Sequence, residues 1–252
     1  MPTVTLNGFK HYYDDVGSGE LLVLLHGANS SAQSFEAHYP ELSKHFRIIA
    51  PDGRSLGRSE HVKSMPANAW VEDLKALLDY LNIEKVNIYG VSLGSRVGMR
   101  FAIDYPERMN GLMLQNIHIY LTPELNDRMN RNGGDGRKLP AEEQSINERR
   151  HGNDWLEVLQ NYYNIRNEPE LQEFYNLKDL VTRITCPILV VQSDEIGQAR
   201  DSFDQAFEIK DKMPDRVKLA VIPHLNGREP LPPETLRSLM REFVGSLSAV
   251  AV

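Results

Sequence analysis

Short, wholly apolar runs separated by amphipathic stretches constrain this chain more than any other feature. Residues 21–25 (LLVLL) form a continuous apolar run that ends at His26 and Gly27, and residues 188–191 (ILVV) form a similar run. Continuous runs of this length are typical of strands buried on both faces, as in a parallel sheet. A sheet of this kind needs helices on both of its faces.

The rest of the chain alternates in the same way. Further strands are predicted at residues 47–50, 86–89, 112–114 and 217–222. Apolar residues at helical spacing predict helices over residues 67–81, 97–105 and 234–247. The predicted fold class is therefore α/β, with a mostly parallel sheet flanked by helices.

Two glycine-containing turns are predicted near the N-terminus. Asn7-Gly8 separates two β-rich runs at residues 4–6 and 10–13, and this dipeptide favours a tight hairpin. Residues 17–19 (GSG) are interpreted as a second hairpin connection, because they lack the spacing of a dinucleotide-binding loop.

The alternation breaks between residues 118 and 180. This segment is polar, contains the sequence NGGDG at residues 132–136, and has helical patches over residues 154–164 and 170–181. We interpret it as a helical cap, or lid, over the C-terminal edge of the sheet, where open α/β sheets bind ligands. The predicted domains are a core of residues 1–117 and 181–252 and a cap of residues 118–180.

Composition excludes several classes of protein. With 252 residues, 41% of them hydrophobic and 25% charged, the chain is expected to form an ordinary globular domain. Its single cysteine excludes an internal disulfide and a multi-cysteine zinc site. The net charge of −7, without a basic cluster, argues against a nucleic-acid partner. No apolar run of about 18 residues and no signal-like start are visible, so we expect no membrane partner and a cytoplasmic location.

A serine lies between a predicted strand and a predicted helix. Residues 90–94 read GVSLG, which places Ser92 between two glycines. In strand–turn–helix context this pattern raises the serine hydroxyl above the sheet edge, and the glycines allow a close approach of backbones. Such a hydroxyl becomes a nucleophile at neutral pH only beside a base, usually a histidine held by a carboxylate. The sequence therefore predicts Ser92 as a nucleophile.

Three motifs, in order along the chain, resemble those of the α/β-hydrolase family. Residues 24–29 (LLHGAN) are similar to its strand and oxyanion loop. Residues 51–59 (PDGRSLGRS) are similar to its D-x-R-G-x-G-x-S segment, although Ser55 stands where the family usually has glycine. Residues 90–94 match its nucleophile elbow. The resemblance covers nearly the whole chain and implies that family's fold.

The resemblance also implies the groups that assist Ser92. The backbone N–H groups of Ala28 and Leu93 would form the oxyanion hole. His224, just after the last predicted strand, would be the base, and Glu229 fits the family's H-x4-E spacing. An alternative alignment of this short loop places residues 227–228 (Gly-Arg) at the family's Gly-His pair, and arginine cannot act as a base.

The acid has two candidates. In the family it follows the strand predicted here at residues 188–191, and Asp194 is the first choice and Glu195 the second. A carboxylate in that loop without a catalytic role remains an alternative, since acidic residues are common at surfaces.

Two other reactive residue types have structural interpretations. His26 lies within the strand and loop that precede the serine, so it is interpreted as a histidine that bonds nearby backbone rather than as a base. Cys186 is interpreted as a buried packing residue, because nothing in the sequence places a histidine beside it.

The predicted function is hydrolysis of a carboxylic ester or lactone through an acyl-enzyme on Ser92, with His224 and Asp194 completing the triad. The predicted partner is a small-molecule ester or lactone, with no cofactor and no metal. Carbon–carbon bond hydrolysis and cofactor-free lyase chemistry are alternatives on the same fold. A non-catalytic protein that binds a small ligand is a further alternative, because the loops that hold His224 and Asp194 both depart from the family pattern.

Overall fold

The strands form one sheet in the computed structural model, which describes residues 3–131, 133–193, 196–222 and 230–250. The strands are β1 (Thr3–Leu6), β2 (Phe9–Gly17), β3 (Glu20–Leu25), β4 (Phe46–Pro51), β5 (Val86–Val91), β6 (Met109–Gln115), β7 (Ile188–Ser193) and β8 (Val217–Ile222). Their order in the sheet is β1-β2-β4-β3-β5-β6-β7-β8. Pairings among β3 to β8 are parallel, and β1 and β2 run antiparallel to their neighbours.

One predicted hairpin is confirmed and the other is wrong. Asn7 and Gly8 have φ values of 51° and 84° and join the paired strands β1 and β2, as a tight primed turn requires. Residues 17–19 join β2 to β3, but β4 lies between these two strands and pairs with both. The local turn chemistry does not reveal this, because a crossover through two short helices brings β4 beside β3 in parallel.

Helices cover both faces of the sheet, which confirms the predicted α/β class. One face packs against α2 (Ala69–Tyr80), α3 (Leu93–Asp104) and α8 (Ile196–Lys212). The other packs against α1 (Tyr39–Leu42) and α9 (Pro233–Val250). In the described ranges, no helix combines the length and the apolar character needed to cross a membrane.

In the described residues, four α-helices lie between β6 and β7, and we refer to residues 118–180 as the helical segment. Its helices are α4 (Pro123–Met129), α5 (Ala141–His151), α6 (Trp155–Arg166) and α7 (Pro169–Phe174). The predicted helix over residues 170–181 extends too far. The chain leaves the helix after Phe174, and the Leu177 N–H donates to the carbonyl of Ile119 at 2.6 Å. A tertiary hydrogen bond therefore overrides the local helical pattern.

Candidate active site

Ser92 occupies a strained turn between β5 and α3. Its φ of 52° and ψ of −107° lie outside the regions that non-glycine residues normally adopt. Its N–H donates to the carbonyl of Gln115 on the neighbouring strand at 2.9 Å, which anchors the turn to the sheet. Backbone strain of this kind costs about 1–3 kcal/mol and persists only where the surrounding structure enforces it. The turn leaves the Ser92 residue partly exposed at the carboxyl end of β5.

The two glycines around Ser92 are required by close packing. A Cβ atom on Gly90 would lie 2.5 Å from the carbonyl carbon of Gly94, inside the turn itself. A Cβ atom on Gly94 would overlap the carbonyl group of Leu25 at the end of β3. The helix α3 can therefore begin directly above the sheet only because these side chains are absent.

The loop that follows β3 lies beside the serine. A Cβ atom on Gly27 would be 3.8 Å from the Cβ of Ser92. Ala28 follows Gly27 and Leu93 follows Ser92, so the two predicted oxyanion donors belong to adjacent backbone segments. Within the described ranges, the N–H groups of Ala28 and Leu93 make no hydrogen bond. Leu93 is also the first residue of α3, where backbone N–H groups lack partners within the helix and the helix dipole favours negative charge.

Both nitrogens of His26 are occupied by backbone. The Gly53 N–H donates to Nε2 at 3.0 Å, so Nδ1 carries the proton and donates to the carbonyl of Gly27 at 2.8 Å. Burial lowers the pKa of His26, which keeps the ring neutral. His26 therefore fixes the loop after β3 against the loop after β4, and the structural interpretation of this residue is confirmed.

Asp52 holds the loop after β4 in place. Its buried carboxylate accepts the N–H of Ala32 at 2.6 Å, the N–H of Arg58 at 2.7 Å and the Nε–H of Arg58 at 2.9 Å. Ser55, the residue that departs from the family motif, has a φ of 67°, a value that favours glycine. Its hydroxyl donates to the carbonyl of Val62 at 2.8 Å, which stabilises the unusual backbone.

Two histidines join the helical segment to this loop. The Gly57 N–H donates at 2.9 Å to Nδ1 of His151, a buried residue of α5. Burial lowers the pKa of His151 to about 4, so its ring is neutral near pH 7. His61 contacts Asp154 at 2.7 Å and the carbonyl of Gly57 at 2.9 Å. The helical segment therefore contacts the residues that follow the carboxyl end of β4.

The remaining predicted site residues have different outcomes. His224, Asp194 and Glu195 lie outside the described residues, so their positions stay predictions. Cys186 is buried, and burial raises the pKa of its thiol to about 12, which confirms the interpretation as a packing residue. In the described part of the chain, no three His, Cys, Asp or Glu residues lie together in a way that could hold a metal ion.

Sequence reasoning missed Arg96. This residue lies one helical turn after Ser92 on α3, and its Nη2 donates to the carbonyl of Tyr175 at 3.0 Å. Its guanidinium lies 5.3 Å from the centre of the Tyr175 ring. Burial lowers the pKa of Arg96 to about 10, which leaves it positively charged at neutral pH. Its position four residues after the predicted nucleophile was the signal that could have identified it, since such residues share one helix face.

A cleft lies between the helical segment and the loop after β3. Asn29 lines it from the loop, and Tyr162, Arg166, Met129 and Asp135 line it from the helical segment.

Comparison with known proteins places the chain in a family. Residues 20–179 match a family model described as alpha/beta hydrolase fold. A 2-hydroxy-6-oxo-2,4-heptadienoate hydrolase of Pseudomonas putida is 34% identical over 116 residues, which are 44% of this chain and 42% of that protein. The aligned segment thus spans about two fifths of this relative's length.

Two solved structures are similar in fold. An esterase from Thermogutta terrifontis has a TM-score of 0.76 at 23% identity and covers 98% of each chain. An enol-lactonase from Burkholderia xenovorans has a TM-score of 0.76 at 18% identity and covers 97% of this chain and all of the other. At these identities the likeness shows a shared fold.

Proposed function

Because this chain belongs to the alpha/beta hydrolase fold family, we propose that it hydrolyses a carboxylic ester or lactone through an acyl-enzyme on Ser92. One observation carries the proposal: the strained backbone of Ser92, with φ 52° and ψ −107°, at the start of α3. A chain has no structural need for a serine in this conformation, and strain of this kind is found mainly at functional sites.

The proposed reaction begins with attack on the substrate carbonyl. The Ser92 hydroxyl loses its proton to His224 as the carbon–oxygen bond forms, and Asp194 holds the His224 ring in the tautomer that can accept it. His224 then protonates the leaving alkoxide. Water, deprotonated by the same histidine, attacks the acyl-enzyme and releases the acid.

Two of the described histidines are already engaged with backbone groups, which supports His224 as the base. His26 uses both ring nitrogens for backbone hydrogen bonds. The Nδ1 of His151 accepts the Gly57 N–H, and that ring is buried. His224 is predicted to follow β8, next to the carboxyl ends of the central strands.

The proposed oxyanion hole uses the N–H groups of Ala28 and Leu93. Their support is the proximity of Gly27 to Ser92 and the absence of another hydrogen-bond partner for either group in the described chain. Losing one donor of this kind typically lowers the rate about 10²- to 10³-fold.

Hydrolysis of a carbon–carbon bond is the second candidate. Its support is the name of the Pseudomonas putida relative, a 2-hydroxy-6-oxo-2,4-heptadienoate hydrolase. The same nucleophile, base and oxyanion donors could serve that reaction, in which the leaving group is a carbanion equivalent rather than an alkoxide.

Hydrolysis of 4-nitrophenyl butyrate by matched variants tests the first candidate. We expect Ser92→Ala and His224→Ala each to lower kcat/KM about a thousandfold or more. Asp194→Asn is expected to lower it strongly, and Glu195→Gln serves as the control for the acid. A strong loss in Glu195→Gln alone would transfer the role of acid to Glu195, and full activity in Ser92→Ala would refute the proposal.

A further inference from the structure

The loop after β3 is held by hydrogen bonds at both of its ends. At one end, the carbonyl of Gly27 accepts the Nδ1–H of His26 at 2.8 Å. At the other end, the N–H of Ala32 donates to the buried carboxylate of Asp52 at 2.6 Å. The first proposed oxyanion donor lies between these two fixed points.

The middle of this loop has less support of its own. Ala28 and Asn29 are exposed, and neither residue donates a backbone hydrogen bond within the described chain. Asn29 has a φ of 51°, in the left-handed region, where a residue other than glycine stays only when the surrounding structure holds it there. The direction of the Ala28 N–H therefore depends on what holds the ends of the loop.

Gly57, in the loop after β4, packs against the far end of the loop after β3. A Cβ atom on Gly57 would overlap the carboxylate of Asp52 and would lie 2.8 Å from the Cβ of Ser31. Asp52 is the residue that holds Ala32, and Ser31 is completely buried. A shift of Gly57 would therefore displace the end of the loop that carries the oxyanion donor.

The helical segment supplies the hydrogen-bond partner of Gly57. The N–H of this buried glycine donates to Nδ1 of His151 at 2.9 Å, and it makes no other hydrogen bond among the residues that the structure describes. Buried backbone N–H groups almost always have a partner. Gly57 therefore keeps its position only while α5 is docked against it.

A second contact joins the same turn of α5 to the chain after β3. The Nε2–H of Gln33 donates to the carbonyl of Arg149 at 3.4 Å. Gln33 follows Ala32 in the chain, and Arg149 and His151 both belong to the last turn of α5. The end of this one helix therefore contacts the chain on both sides of the proposed oxyanion hole.

We propose that His151 is a positioning residue for the oxyanion hole. By holding Gly57 in place, it fixes the end of the loop after β3 and so keeps the N–H of Ala28 directed at the developing oxyanion. Such donors are effective only when they are held in place before the reaction, and a misplacement of about 1 Å can lower a rate about a hundredfold. This inference rests on the proposed function.

Two esters that differ in one atom test this role. The first is 4-nitrophenyl butyrate, and the second is its thionoester, in which sulfur replaces the carbonyl oxygen and accepts hydrogen bonds more weakly. We expect His151→Leu to lower kcat/KM for the oxygen ester about ten- to hundredfold, mainly through kcat. The thionoester depends less on the oxyanion donors, so the ratio of the two values should fall about tenfold. A purely structural role would lower both values equally.

Two further variants control for a general loss of folding. Asn147→Leu is the matched control, because Asn147 is also buried on α5 and its amide donates within the helix, to the Glu143 carbonyl at 2.7 Å. It should keep the wild-type ratio. His151→Asn should recover most of the ratio, since an amide oxygen can accept the Gly57 N–H. An unchanged ratio in His151→Leu, an equal fall in Asn147→Leu, or no recovery in His151→Asn would overturn the inference.

Amide hydrogen exchange separates this inference from the proposed function. We expect the peptide of residues 27–32 to exchange at least about tenfold faster in His151→Leu than in the wild type and Asn147→Leu. If the wild type cleaves neither ester, the proposed function fails, and the exchange rates alone decide whether His151 holds this loop. Equal exchange in all three proteins would overturn the inference even if both esters are cleaved.

Discussion

Six non-glycine residues with positive φ mark the turns of the described chain. Four are asparagines, the residue type that best tolerates this region: Asn7, Asn29, Asn82 and Asn116. Ser55 is stabilised by its own hydrogen bonds. Ser92 also has a ψ of −107°, which is far from the left-handed helical region. The serine singled out by sequence thus has a strained backbone.

The sequence predicted that the two glycines beside Ser92 allow a tight turn. It did not predict which atoms a side chain at either position would meet. The motif indicates only a tight turn, whereas the overlap between a Cβ on Gly94 and the backbone of Leu25 arises from the packing of α3 over β3. Arg96 was missed for a related reason. A lone arginine on a helix is ordinary in sequence, and only the surrounding Tyr162, Tyr175 and Arg166 make it unusual.

We expect Gly94→Ala to lower the free energy of unfolding by more than about 3 kcal/mol, because the new methyl group collides with rigid backbone. Gly245 is the matched control, since it also lies in a helix but its Cβ would meet no atom within 4 Å. There, alanine should stabilise the protein by up to about 1 kcal/mol. Urea unfolding measures both changes. Equal stability of the two variants would contradict the close packing of α3 on β3.

At the scale of elements, continuous apolar runs identified the parallel strands well. They did not identify the partner of β2, because the hairpin-like residues 17–19 connect strands that β4 separates. Helical periodicity likewise located α6 and α7 but overestimated the length of α7. The end of this helix is set by the hydrogen bond between Leu177 and Ile119. Local patterns thus predicted the type of each element, whereas neighbours and exact ends depended on tertiary contacts.

The contribution of the contact between α5 and the loop after β4 to the free energy of unfolding should depend on pH. The pKa of His151 is about 4 in the folded protein, below the ordinary value near 6.5 that applies when the chain is unfolded. The unfolded state therefore binds the proton more readily, and stability falls as the pH drops from about 6.5 toward 4. From pH 7.5 to 5 this histidine alone should account for a loss of about 2 kcal/mol.

Comparison of two histidine variants isolates that contribution. Urea unfolding at several pH values should show a smaller acid-induced loss in His151→Gln than in the wild type. His45→Gln, at an exposed position, is the control and should keep the wild-type slope. The other groups near His151, namely His26, His61 and Arg150, are unchanged in both variants. An identical slope in His151→Gln would refute a buried neutral ring at this contact.

At the scale of the whole molecule, three motifs far apart in the sequence meet at one edge of the sheet. The loop after β3 lies beside Ser92, His26 ties that loop to Gly53, and His151 connects the helical segment to Gly57. The sequence predicted that these motifs lie close together, because ligand sites in open α/β sheets form at the carboxyl ends of the parallel strands. The placement of His224 and Asp194 in the same site stays a prediction, because both lie outside the described residues.

Labelling with a fluorophosphonate, followed by intact mass measurement, tests the central claim most directly, since this reagent reacts with activated serines and needs no knowledge of the substrate. The account predicts one adduct per chain in the wild-type protein and none in Ser92→Ala. Ser95, which lies one turn from Ser92 and donates to the Gly90 carbonyl at 2.6 Å, provides the matched control, and Ser95→Ala should still be labelled. A wild-type protein that stays unlabelled, or a Ser92→Ala variant that gains the same adduct, would contradict the assignment of Ser92 as the nucleophile.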